Sequence, residues 1–288
     1  AGVSGVAFHT QWAWAPDNCD PMGAIGDEII RRTFRTLGYT YIRRERSEQS
    51  APDATEDVWR EHIINSINNG KPVLAFGVVG PPECCVIAGY SQQGDVLLGR
   101  SYFYKDTHGY FRQADWYRNC LEIIEIGEKV TPLPRQNMIR ESLEWAVKVA
   151  RTPEMNGRAT GLAAYDVWAE ALEQDKDFPE DDIHVLTLRC MASTDDGFWY
   201  LADVRYAASR FLAEIAPETG KAEDDVKAAA ECYDDEAHLL WQGGKKSPSH
   251  HAPESERLRI ADRQLRLELA QLVRKAHAKD CEAIEHLK

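Results

Sequence analysis

The chain has 288 residues, 43% apolar and 28% charged, an ordinary balance for one large or two average globular domains. Its net charge of −13 leaves no cationic field to meet nucleic acid or an anionic membrane surface, so neither is expected as a partner. No apolar run reaches the roughly 18 residues of a membrane span, and no basic, apolar, small-residue start marks a secretory leader.

The pattern divides near Val130-Thr131-Pro132 into a mixed α/β domain over residues 1–130 and a helical domain over 131–288. Asp20 can cap a helix with Pro21 at its first position. Met22, Ile25, Ile29, Thr33 and Leu37 continue that helix at helical spacing, and Gly38 ends it. Tyr39–Ile42 starts a strand. Asp53 with Glu56 forms a capping-box pattern before a helix carrying Val58, Ile63 and Ile67. Residues 72–79, 84–90, 95–104 and 120–126 read as strands, with a hairpin turn at Ser91-Gln92-Gln93-Gly94. Helical stripes follow at Ile139, Leu143, Val147 and Ala150, over 161–172, from Tyr200 to Ile215 after an Asp196-Gly197 turn, and from Glu254 to the end. Gln242 to Pro253 reads as a polar loop.

Seven cysteines form no CxxC pair and no evenly spaced framework, which predicts reduced thiols and a cytoplasmic setting, with no metal or cofactor implied. Cys84 and Cys85 are adjacent, so on a strand they point to opposite faces.

One segment carries a recognisable layout. Glu83-Cys84-Cys85-Val86-Ile87-Ala88-Gly89-Tyr90 is followed by the Ser91–Gly94 turn, an apolar strand, and Arg100-Ser101-Tyr102. It resembles the second half of a papain-like cysteine-protease site, in which a histidine precedes a Gly-Tyr pair and an Asn or Asp ends the next strand. Here Glu83 stands in the histidine position and Arg100 in that of its orienting partner. Taken whole, with Gly157–Leu162 and Tyr206–Leu212, the chain resembles the butirosin-biosynthesis acyltransferase type, a double-glycine-peptidase-like domain followed by a helical region. The resemblance implies an α+β fold, a papain-like antiparallel sheet with packed helices followed by an all-helical region. It also implies a cysteine that takes an acyl group from a carrier thioester and passes it to an amine.

The residues leave two readings open. In the first, Cys19 at the Asp20-Pro21 helix start is the nucleophile, since a helix N-terminus stabilises thiolate. Gln11, eight residues earlier, then supplies an oxyanion-hole amide, and His9 or His108 a base. The protein would be a cysteine-dependent acyltransferase or amide hydrolase acting on a small metabolite or a carrier-bound acyl group. In the second, Glu83 is buried and paired with Arg100, the base is lost, and the cleft only binds; the alternative for a catalytic Glu83 beside Arg100 is a general base to a water or an amine, its pKa raised by burial. His9, Trp12, Trp14 and Tyr102 are the expected substrate-binding groups, although such aromatics as often fill a core. The helical half could serve as a lid or as the surface of a homo-oligomer.

Overall fold

The computed structural model describes residues 1–14, 26–46, 55–81, 83–104 and 109–288. In chain order the first elements are β1 (Gln11–Trp12), α1 (Glu28–Leu37), β2 (Tyr39–Glu45), α2 (Glu56–Asn68), β3 (Val73–Phe76), β4 (Cys84–Ser91), β5 (Val96–Arg100), β6 (Phe111–Gln113) and β7 (Glu122–Lys129). After them come α3 (Arg135–Ala150), β8 (Glu154–Met155), β9 (Arg158–Thr160), α4 (Leu162–Glu173), α5 (Ile183–Cys190), a π-helix (Met191–Trp199), α6 (Tyr200–Ile215), α7 (Glu223–Lys246), α8 (Glu254–Arg257) and α9 (Arg263–His286). The architecture is α+β, with antiparallel sheets and a helical C-terminal region. None of the described helices is long and apolar enough to cross a membrane.

The chain forms two compact units, one of residues 37–132 and one of residues 1–36 together with 133–288. The sequence division at residue 130 thus lies close to the second crossing, whereas the first 36 residues keep company with the helices. Two contacts explain why. Ala7 and Phe8 are buried in a helical core with Trp145, Leu212 and Tyr233. β1 pairs antiparallel with β9, Gln11 opposite Thr160 and Trp12 opposite Ala159.

In the unit of residues 37–132 the six strands run in the order β2-β7-β3-β4-β5-β6, all antiparallel. Alternation sends Val73, Ala75, Cys85, Ile87, Leu97 and Ile123 into one core with Trp59 and Ile63 of α2. Cys84 is exposed while Cys85 is buried, its thiol against the Ala75 carbonyl at 3.2 Å, so the adjacent cysteines do take opposite faces. The Gln92-Gln93 turn has φ of 52° and 55°, the left-handed geometry of a tight hairpin. Thr55 caps α2 by accepting from the Val58 N–H at 3.4 Å; Asp53, the expected cap, lies outside the described residues, as do Asp20 and Pro21. The strand expected over 95–104 stops at Arg100, and the three-residue β6 beside it is too short for a period-2 pattern to announce.

The helical unit departs from the sequence pattern in several places, among them the helix expected from Glu254 to the end, which is α8, a 3-10 turn (Leu258–Ala261) and then α9, whose start Asp262 caps. The expected Asp196-Gly197 turn is the middle of the π-helix, so α5, the π-helix and α6 run on without a break. The expected polar loop from Gln242 is the end of α7 as far as Lys246, because the bare α-carbons of Gly243 and Gly244 lie against the rings of Phe198 and Trp199. α7 has no counterpart among the stripes read from the sequence, its apolar face being interrupted by charge.

At the centre of this unit lies a buried polar cluster. Arg205, 1% exposed, reaches Asp280 (2.7 Å), the Tyr165 hydroxyl (3.1 Å), Glu236 (3.1 Å), the Thr10 hydroxyl and the carbonyls of Ala7 (2.9 Å) and His9 (3.4 Å). Tyr165 Oη also lies against Glu236 and 2.8 Å from Asp280, and Tyr233 Oη approaches Asp280 at 3.3 Å. One tyrosine proton cannot serve two carboxylates. Burial answers this by holding Glu236 protonated, its pKa pushed up to about 8, which leaves one cation facing one anion.

Removing the cation leaves a buried carboxylate uncompensated, so Arg205→Ala is expected to lower unfolding stability by about 3–5 kcal/mol in urea titrations; a loss within 1 kcal/mol contradicts the cluster. The native state also keeps a Glu236 proton that the unfolded chain releases, so stability falls as pH rises from the ordinary carboxylate range to about 8. Glu236→Gln is expected to flatten that fall in unfolding curves between pH 5 and 9. An unchanged pH slope would count against it.

Candidate functional site

His9 ends a single 3-10 turn, Val6–Phe8, and enters the extended segment that becomes β1. Two groups fix that segment from opposite sides. Arg205 takes the His9 carbonyl, and the Gly161 N–H donates to the Thr10 carbonyl at 2.9 Å. The backbone is therefore held at both His9 and Thr10.

His9, Gln11 and Trp12 meet Trp168 of α4, Asp196 and Gly197 of the π-helix and Tyr200 of α6 around a small, partly open cavity of about 20 Å³. That is room for one water-sized group, for which roughly 10–15 Å³ suffices. The wall is aromatic, with Trp12 stacked on Trp168 at 4.9 Å and 17°. Its polar atoms come from His9, Thr10, Gln11 and Asp196. His9 is 3% exposed, and its Nε2 has no hydrogen-bond partner among the described residues. Burial first, then the positive charges of Arg205 and Arg158, push its pKa down to about 3. The ring is therefore neutral at physiological pH, with Nε2 able to exchange a hydrogen bond with whatever enters.

The π-helix is what presents Asp196 here. Its i→i+5 bonds widen the turn, a geometry frequent at functional sites. Gly197 is required by close approach, since a Cβ would stand 2.8 Å from the Trp168 ring. Trp168 in turn donates from Nε1 to Ser193 Oγ at 3.2 Å.

The residues expected from the sequence fall in different places. Cys19 and His108 lie outside the described residues. His9, Gln11 and Trp12 share the cavity. Trp14 does not line it; its indole donates to Asp177 at 3.2 Å, lies under the Arg189 guanidinium and packs on Phe178. Glu83, Arg100 and Tyr102 belong to the sheet unit. The buried Glu83–Arg100 pair is not there. Val86, not Glu83, stands opposite Arg100, both charged residues are exposed, and Arg100 lies over the Tyr110 ring at 5.1 Å. The strand starts one residue after Glu83, so Glu83 overhangs the end of the ladder. Tyr102 is 94% exposed. Asp196, Trp168 and Tyr200 went unrecognised, because Asp196-Gly197 has the composition of a turn and the other two fall on ordinary apolar stripes.

The described residues contain no cluster of three or more metal-ligating side chains. No protein-family model matches this chain, and no curated protein matches it.

Burial pushes the thiols of Cys84 and Cys120 up to about 11 and those of Cys85 and Cys190 up to about 12, and raises Cys232 and Cys281 as well. None of these six is an appreciable thiolate near neutral pH. Iodoacetamide at pH 7.5 is therefore expected to modify Cys19 well before the other six, as read by peptide mass spectrometry. Faster labelling of Cys84, the exposed member of the set, would contradict this.

Proposed function

We propose that this chain is a small-molecule binding protein whose helical unit recognises a single polar end-group in the His9 cavity. The observation that carries the reading is the buried, neutral His9 imidazole with its unpartnered Nε2 on an otherwise aromatic wall. A buried polar atom without a partner costs about 1–3 kcal/mol, and a ligand group that bonds to it recovers that cost. Binding sites are characteristically apolar with a few convergent polar groups, and His9, Gln11 and Asp196 provide such a set. The weakness of His9 as a base supports binding over proton transfer, since general bases work best with a pKa near the operating pH.

A second reading, cysteine-dependent acyl transfer or amide hydrolysis on a small metabolite or carrier-bound acyl group, is favoured by one observation. His9 and Gln11, the base and the oxyanion-hole amide anticipated for Cys19, share one cavity wall. In that reading the Cys19 thiolate attacks the acyl carbonyl and the Gln11 amide N–H receives the developing charge. Collapse of the adduct expels the carrier thiol or the amine, leaving a Cys19 thioester that an acceptor amine or water then cleaves to return the thiol. Exposure of Glu83 leaves that residue without the burial a raised-pKa carboxylate base would need.

Screening small polar metabolites by thermal shift and by indole fluorescence, to which Trp12 and Trp168 contribute, separates the two. A ligand of the wild-type protein is expected to lose about tenfold or more in affinity in His9→Leu and in Gly197→Ala, whose methyl group would collide with the Trp168 ring of the cavity wall. Unchanged affinity in both variants would contradict the binding site. Product release from a hit ligand, abolished in Cys19→Ala, would favour the second reading.

A further inference from the structure

The π-helix is gripped by the end of α7 and by the chain that leaves it. Gly243 and Gly244 let their α-carbons lie against Phe198 and Trp199. Ser247 Oγ and Thr194 Oγ1 are 2.6 Å apart and buried. Last in the series, Asp195 Oδ2 accepts both from the His250 backbone N–H at 2.9 Å and from the His250 ring at Nδ1, 2.6 Å away. A carboxylate only accepts, so the Nδ1 proton lies in that bond. These contacts fall at Thr194, Asp195, Phe198 and Trp199 of the π-helix, and the His250 contact is the one that holds the residue next to Asp196.

Consecutive residues of a helix point about 100° apart. Asp195 and Asp196 are therefore assigned to different surroundings by the rotation of the π-helix alone. Asp195 faces His250, and Asp196 faces the cavity. A π-helix holds one residue more than an α-helical turn, and its relaxation to α-geometry rotates what it carries by about that same angle. Something must choose the register. The geometry points to His250 as a positioning residue for the His9 cavity: by holding Asp195, it fixes the π-helix in the rotation that aims Asp196 at the cavity. The functional weight of this rests on the cavity being the binding site, but the mechanical link does not.

The test needs no ligand. Hydrogen exchange over residues 191–199 and the ring ¹⁵N resonances of His9 are compared in wild type, His250→Ala and His250→Asn. The Asn side-chain amide nitrogen falls about where Nδ1 does and can donate to Asp195. In His250→Ala, exchange over 191–199 is expected to rise about tenfold and the His9 Nε2 resonance to shift, with exchange over α9 unchanged. His250→Asn is expected to restore both. A role confined to tying down the loop after Lys246 would raise exchange over 247–253 alone and leave His9 at its wild-type resonance, which overturns the proposal. If His250→Ala does not fold, Asp195→Asn, which keeps an acceptor but loses the charge, is expected to move the same two readouts less far; no movement overturns it equally. Loss of ligand binding to the wild-type cavity, with the His9 shift intact, would sink the binding reading and leave the positioning role standing.

Discussion

Around Arg205 five polar side chains that would each prefer water meet with almost none of their surface exposed. The guanidinium binds Asp280, Glu236, Tyr165 and Thr10 together with two carbonyls of the N-terminal segment. A buried ion pair is seldom a net source of stability against a hydrophobic substitute, but its directional bonds fix geometry. Here they tie residues 7–10 to helices α4, α6, α7 and α9 at one point. The position of His9 follows from that knot together with the packing of Phe8 against Phe211 and Leu212 of α6, and so does the cavity. The protonated Glu236 is what keeps the knot electrically balanced.

The cavity is assembled by two kinds of constraint. Strand pairing with β9 and the Arg205 contacts set one wall, and the irregular stretch between α5 and α6 sets the other. Regular helix through residues 191–199 would rotate Asp196 relative to the strand. The close packing of Gly197 on Trp168, and of Gly243 and Gly244 on Phe198 and Trp199, shows how little slack the π-helix has. Rigid support of this kind suits recognition of a small group more than large-scale closure, since a water-sized cavity gains from walls that do not move.

Much of the fold was legible in the sequence. Period-2 apolar runs located β3, β4, β5 and β7, and 3.6-period stripes located α3, α4, α6 and α9. The assignment of residues 1–36 to the helical unit was not legible, because it depends on long-range pairing of a two-residue strand and on Phe8 entering a distant core. The cluster itself left a faint trace. Arg205 falls in register with Leu201, Ala208 and Leu212, and Asp280 with Ala276, Ala283 and Ile284, so a charge sits in an apolar stripe twice over. Such charges are almost never buried singly. Of the site, Gln11, His9 and Trp12 could be named from the chain, while Asp196 could not, since nothing local distinguishes a π-helix from a turn at Asp-Gly.

The account depends most on His9 being held, by Arg205 and the surrounding packing, as a buried neutral imidazole facing the cavity. Its ring titration, followed by ¹⁵N NMR in the wild-type protein, measures that state directly. The account predicts an imidazole that remains neutral from pH 8 down through pH 5 and takes up a proton only near pH 3, if the fold survives that far. Titration of His9 near the ordinary histidine value of about 6.5 would contradict it.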